Sequence, residues 1–355
     1  MRTFFAATIC LTLLTALPDG TARACTSFCQ ETPHGPVMAA NLDLLVPADG
    51  LVFVNRRGIA KENFREGIDG RKRKWTSLYG SVTFNVAGRG FAWSGMNEVG
   101  LVVSSAEDRS SEYPEPDNRA PFDLGSWIQY VLDNFATVQE AILVDDSVRP
   151  VTDGDSPSHF LIADAKGDSA ALDYVDGKLV VYTDKSLPVT AMSNMSYGRA
   201  LEALKRGGPR WWWSNPGRSA ERFATAASRM ASFPGDSDTN EIEYVFHTLG
   251  QVADQYTQWS VGYHIGKRKI WFRTTKSPAA KYFSLDDFDF SCEAPLLMLD
   301  VHTNARDDVG ASFTPYDHDV NLKVFTTTCA RLGIQVAHDD AVDLMRIFDE
   351  FECAR

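Results

Sequence analysis

Short apolar runs alternate with turn residues through the first hundred positions of the chain. Residues 26–30 precede a Pro33-His34-Gly35-Pro36 turn, and residues 37–42 follow it, so this stretch predicts a hairpin. Segments 51–55, 81–87, 91–96 and 101–105 continue the strand pattern, and the polar, Pro-containing stretch 107–120 predicts a loop. The period then changes. Leu124, Ile128, Val131, Leu132 and Phe135 share one helical face, and 137–144 predicts a second short helix with Thr137 as N-cap. Strands return at 159–164, 169–174 and 179–182, with tight turns at Lys166-Gly167-Asp168 and Asp176-Gly177. Segments 219–232 and 241–253 predict helices, and 263–265 with 269–273 predict a hairpin around Gly266-Lys267. Two strand-rich blocks separated by helices predict stacked sheets covered by helices, an α+β layered domain. After about Lys276 the texture changes. Residues 286–289 are acidic, and Leu344, Ile347, Phe348 and Phe351 share a face of a final amphipathic helix expected to dock on the main domain.

The extreme N-terminus is of another kind. Met1-Arg2 is basic, 4–17 is apolar, and Ala22-Arg23-Ala24 is a small-x-small cleavage site, so 1–24 reads as a secretory signal peptide. Cleavage after Ala24 leaves 331 residues beginning at Cys25, in the periplasm or outside the cell. A thiol and an α-amine then sit on one residue, a nucleophile beside its own base. Two other readings of Cys25 stand beside this one. It is a lipidation site in a lipoprotein, although Ala22 occupies the position where such sites carry Leu, or it is a disulfide half-cystine.

The 44% hydrophobic content is enough for a substantial core. The precursor carries 35 basic and 47 acidic residues, net −12, and loss of Arg2, Arg23 and Asp19 leaves net −13, which argues against nucleic acid or an anionic membrane as partner. No second apolar run is long enough to span a bilayer. Apart from Cys10 in the leader and Cys25, four cysteines remain: Cys29, Cys292, Cys329 and Cys353. An even number in an exported chain suggests two disulfides, with three connectivities open. The seven scattered histidines form no metal-binding spacing, and there is no nucleophile-elbow, phosphate-loop or dinucleotide motif, so neither metal nor cofactor is expected.

Five strings occur in the order of the choloylglycine hydrolase family, which the chain resembles from Cys25 to about Thr275. They are Cys25-Thr26-Ser27-Phe28, Ala40-Asn41-Leu42-Asp43, the seven residues from Gly95 to Leu101, Ser193-Asn194, and Glu221-Arg222-Phe223. Segments 75–81 and 130–137 resemble its exported Gram-negative branch. The resemblance implies an N-terminal nucleophile hydrolase with a four-layer αββα sandwich over 25–275 and a C-terminal extension over 276–355. It implies cleavage of linear amides of the penicillin V or acyl-homoserine-lactone kind, without a cofactor, by a chain that is often tetrameric. Cys25 would attack the carbonyl, and Asp43 would hold the N-terminal amine. Asn194 would donate to the oxyanion from its side chain, as would a backbone N–H near Glu107, and Arg222 would face the nucleophile. Asn97 and Gly100 would form a structural turn near the site. Trp211, Trp212 and Trp213 would wall the acyl pocket, or pack on the core or an oligomer interface. One departure stands out: the family pattern has Arg where this chain has Ala40, which leaves Arg222 to supply the electrostatics. A Glu107 side chain in the pocket would disfavour anionic substrates. The alternative is a lipoprotein or inactive fold relative that binds a small acyl ligand.

Overall fold

The computed structural model describes residues 25–152, 157–207, 215–236 and 239–354, and the counts below refer to these. Two antiparallel-dominated sheets make up the centre. The first has seven strands, in spatial order 191–192, 26–30, 37–43, 257–264, 269–274, 281–284 and 307–308. The second has nine, in order 178–183, 169–175, 158–163, 102–107, 92–97, 81–85, 51–55, 297–300 and 314–315.

The sheets face each other because their strands are apolar on the inward side. Phe28, Met38, Ala40, Val261 and Tyr263 from the first sheet share one buried cluster with Val54, Val82, Phe84, Val102 and Leu161 from the second. Two hydroxyl pairs bridge that interface. The Ser27 and Ser104 hydroxyls lie 2.7 Å apart, and Ser94 and Tyr263 share a 2.6 Å hydrogen bond. Outside the second sheet lies the helix Leu124–Asn134, capped by Asp123, which accepts from the Ser126 N–H. It buries Trp127, Ile128, Val131 and Leu132 against the outward residues of that sheet. Outside the first sheet lie the helices Tyr197–Lys205, Asn215–Ala231 and Glu241–Gln251, with Phe223, Val245, Phe246 and Leu249 in the core. The layers therefore run α, β, β, α, as the resemblance implied.

Local rules account for the turns. Asp176 and Gly177 both adopt positive φ, 49° and 72°, the geometry that a two-residue hairpin loop of the mirror-image type requires. Thr137 caps the short helix Val138–Ala141 by accepting from the Glu140 N–H, and the chain then tightens into a 3-10 turn over Ile142–Asp146. The pair Ala60–Glu66 and Lys72–Thr76, which its many charges hide from an apolar-pattern reading, forms a small separate sheet. It is anchored by Lys61, whose ammonium donates to both Asp133 oxygens at 3.0 and 2.8 Å in a fully buried pair.

Residues beyond 276 are woven into both sheets. Lys281–Ser284 pairs with 269–272, and Leu297–Asp300 pairs with Leu51–Val54. The last two helices, His318–Arg331 and His338–Asp349, cover the charged hairpin with Phe325, Leu344, Met345 and Phe348. Phe348 sits so close to Gly90 that a Cβ there would lie 1.8 Å from its ring. One disulfide, Cys292–Cys353, ties the tail. The expectation of two disulfides is corrected here: Cys29 and Cys329 are both buried and outside any disulfide. Burial pushes each thiol up to about 12, which keeps them protonated and inert. No helix among the described residues is long and apolar enough to cross a membrane.

Candidate active site

Cys25 lies at the mouth of the first strand, nearly buried at 3% exposure. Its thiol points toward the Asp43 carbonyl oxygen, 3.9 Å away, at the end of the neighbouring strand. The register Thr26↔Asn41 makes this meeting unavoidable, since it places the start of one strand against the end of the next.

The Asp43 side chain is fully buried, and neither carboxylate oxygen meets a partner of hydrogen-bonding geometry among the described residues. Burial, opposed by Thr257 and the guanidinium of Arg222, raises its carboxyl to about 7. A buried carboxylate this short of well-placed donors is rare in folded proteins.

Arg222, on the helix Asn215–Ala231, is 8% exposed. Its Nε donates to Thr26 Oγ1 at 2.9 Å, and its Nη2 donates to Asn194 Oδ1 at 2.7 Å and, longer, to Ser219 Oγ at 3.4 Å. Burial pulls its pKa down, while Asp43 and Cys25 favour its charge. Asn194 spends its side-chain oxygen on Arg222 and one amide hydrogen on the Glu107 carbonyl, at 2.9 Å. Asn194 has two amide hydrogens, so one more is left to donate. The structure thus brings Cys25, Asp43, Asn194, Arg222 and the Glu107 backbone into one cluster.

Glu107 ends the strand Val102–Glu107. Asp108 N donates to Pro157 O, so ladder bonding to the strand Ser158–Ala163 uses alternate residues, and the backbone of Glu107 is turned the other way, toward Asn194. The Glu107 carboxylate accepts from Arg109 Nε at 2.8 Å, so its charge is met by a cation and does not stand alone in the pocket. Ala40 is wholly buried in the intersheet core.

Two expectations change. Asn97 and Gly100 form a turn, but not near the site. They lie at the opposite end of the 102–107 strand, about 20 Å from Glu107 at the usual rise per residue. There Asn97 accepts from the Leu101 N–H and donates to the Leu132 and Phe135 carbonyls, tying the hairpin to the helix. Trp211, Trp212 and Trp213 lie outside the described residues.

Sequence reading missed the residues that orient the cluster. Thr26 holds Arg222, and Ser219 and Thr257 line the same corner. His159 and Asp173 lie behind Asn194, and no spacing in the sequence joins them to it. Among the described residues no three His, Cys, Asp or Glu side chains gather as metal ligands.

Known proteins share this architecture. The profile of the linear amide C–N hydrolases, choloylglycine hydrolase family, matches residues 25–206. A penicillin V acylase of Pectobacterium atrosepticum is 34% identical over an alignment of 207 residues that covers 52% of this chain, and the chain spans about half (54%) of that protein's length. The structure of penicillin V acylase from Agrobacterium tumefaciens superposes with a TM-score of 0.70 at 25% identity, covering 82% of this chain and 98% of that one. A mutant conjugated bile acid hydrolase from Clostridium perfringens shares the fold, with a TM-score of 0.63 at 16% identity over 82% of this chain and 96% of its own. With the profile covering just over half of its residues, this chain belongs to the choloylglycine hydrolase family of linear amide C–N hydrolases.

Proposed function

We propose that the protein is an exported amidase that cleaves a linear, non-peptide amide through Cys25. The observation that carries this is the buried Asp43 carboxylate, without a hydrogen-bonding partner, beside the first residue of the mature chain. An α-ammonium on Cys25 is the partner it lacks. Cleavage after Ala24 would therefore create the catalytic base and fill the vacant acceptor in one event.

An α-amine titrates near 8 and a thiol near 8.5, so thiolate beside ammonium is accessible at neutral pH. The Cys25 sulfur attacks the amide carbon, and the carbonyl electrons move onto oxygen. The remaining Asn194 amide hydrogen and the Glu107 N–H stabilise that oxyanion. Arg222 holds the Asn194 oxygen, so the amide nitrogen faces the reacting centre. As the intermediate collapses the C–N bond breaks, and the ammonium gives its proton to the leaving nitrogen. Water, deprotonated by the same amine, then attacks the thioester and expels the thiolate, releasing the acid. The similarity to penicillin V acylases supports a phenoxyacetyl-like acyl part. Export to the periplasm follows from the leader, and homo-oligomerisation is the family expectation.

The test is intact mass of the purified protein, alone and after acid quench with a phenoxyacetyl amide. The expected result is a chain starting at Cys25 that gains an acyl adduct, absent in Cys25→Ser. A lipid-sized addition at Cys25, or a different first residue, would overturn the mechanism and favour a binding protein.

A further inference from the structure

His159 is fully buried on the strand Ser158–Ala163, and the mechanism above gives it no role. Its Nδ1 lies 2.8 Å from Asp173 Oδ1, and its Nε2 lies 2.7 Å from the Ser193 carbonyl oxygen. A carbonyl only accepts, and a carboxylate only accepts, so both ring nitrogens donate when the ring is an imidazolium. Asp173 is equally buried and spends its second oxygen on the Tyr197 N–H at 2.7 Å. The same Ser193 carbonyl accepts from Met195 N at 2.8 Å, closing a three-residue turn with Asn194 at its apex. Asn194 is the residue assigned to the oxyanion. The ion pair is thus bolted to the backbone immediately before it, while Arg222 grips its side chain.

We propose that His159, held as an imidazolium by Asp173, is a positioning residue that fixes the Ser193–Met195 turn and thereby aims the Asn194 amide at the oxyanion. This rests on the amidase reading. The groups facing the ring are consistent with a cation. Burial disfavours its charge, but Asp173, with a smaller contribution from Asp108, outweighs that and holds its pKa above the ordinary histidine value. Beyond Asp173 lie the Tyr182 and Tyr197 phenols, and the Arg222 guanidinium is reached only through Asn194. The clamp is complete while the ring carries both protons and Asp173 is ionised. It is lost as pH rises through the folded-state pKa, when one nitrogen ceases to donate.

The experiment combines kinetics with nitrogen NMR of the histidine rings in the mature protein. In the wild type both His159 nitrogens should carry protons at neutral pH, a result that does not depend on turnover. Asp173→Asn should lower kcat for a phenoxyacetyl amide about 10- to 100-fold, the scale of a small misplacement of a catalytic group. KM should stay within about twofold, and the alkaline fall of kcat should begin at lower pH. His159→Gln, which keeps one donor for Ser193, should retain more turnover than His159→Leu and lose the pH effect. A singly protonated His159 at neutral pH, or an unchanged kcat and alkaline limb in folded Asp173→Asn or His159→Gln, would overturn the proposal. A wild type inactive on every acyl amide, with a doubly protonated His159, would instead overturn the amidase reading.

Discussion

Replacing Asp43 by Asn should act in opposite directions on the chain before and after the Cys25 amine is exposed. Consider first a form that keeps Ala24 ahead of Cys25, so that no terminal ammonium faces the carboxylate. Its burial raises the carboxyl from 3.8 to about 7, a preference for the neutral form of about 4 kcal/mol at 1.36 kcal/mol per pH unit. The unfolded carboxyl ionises near 4 and the folded one near 7. Between those values the unfolded state binds fewer protons, so stability falls as pH rises from about 4 to 7 and is flat above. Asn cannot ionise, so Asp43→Asn removes that fall. The extended variant should match its parent near pH 3.5 and exceed it at pH 8 by up to about 4 kcal/mol. On the proposed pairing, an ammonium on Cys25 would compensate the carboxylate in the mature chain, and the same substitution should then cost stability and abolish turnover. Urea denaturation of the four proteins from pH 3.5 to 8.5, followed by tryptophan fluorescence, reads both signs. An extended variant no more stable than its parent at pH 8, or a shift of the same sign in both forms, would refute the pairing of Asp43 with the amine.

Three further outcomes follow from the geometry. Asn194→Ala should lower kcat about 100- to 1,000-fold with KM little changed, as loss of an oxyanion donor does, checked by steady-state kinetics on the same amide. Replacing both Cys292 and Cys353 by Ser should cost about 4 kcal/mol in urea denaturation, from the loop entropy of a 61-residue separation, with turnover per folded molecule unchanged. Lys61→Met leaves the Asp133 carboxylate buried without its cation and should cost about 3–5 kcal/mol, most of it recovered by adding Asp133→Leu.

The strands at 26–30, 37–43 and 51–55 were legible because every position in them is buried, so that apolar stretches such as Val37–Ala40 and Leu51–Val54 stand between turn signals. The hairpin at 60–76 was not, because Lys61 is a core residue only by virtue of Asp133, 72 positions away, and pattern reading has no access to such a partner. The site divides in the same way. Cys25 was singled out by the cleavage pattern expected at 22–24, and Asp43, Asn194 and Arg222 came through resemblance. The His159–Asp173 pair is a cross-strand contact one step beyond Phe160↔Leu172, so only the register of two strands reveals it. The strands beyond 276 were hidden for a related reason: they are two to four residues long and complete sheets begun more than 200 residues earlier.

That interleaving also sets the order in which the molecule can come into being. The strand that follows Cys25 rests on 37–43, which rests on 257–264, and the opposite sheet needs 297–300 beside 51–55. Such pairings have high contact order and close late. As the ribosome delivers the N-terminus first, the sheet that follows Cys25 cannot close until residues 257–264 have been made. The corner that gathers Cys25, Asp43 and Arg222 is therefore completed late although its first residue is synthesised early, and the topology sets that order.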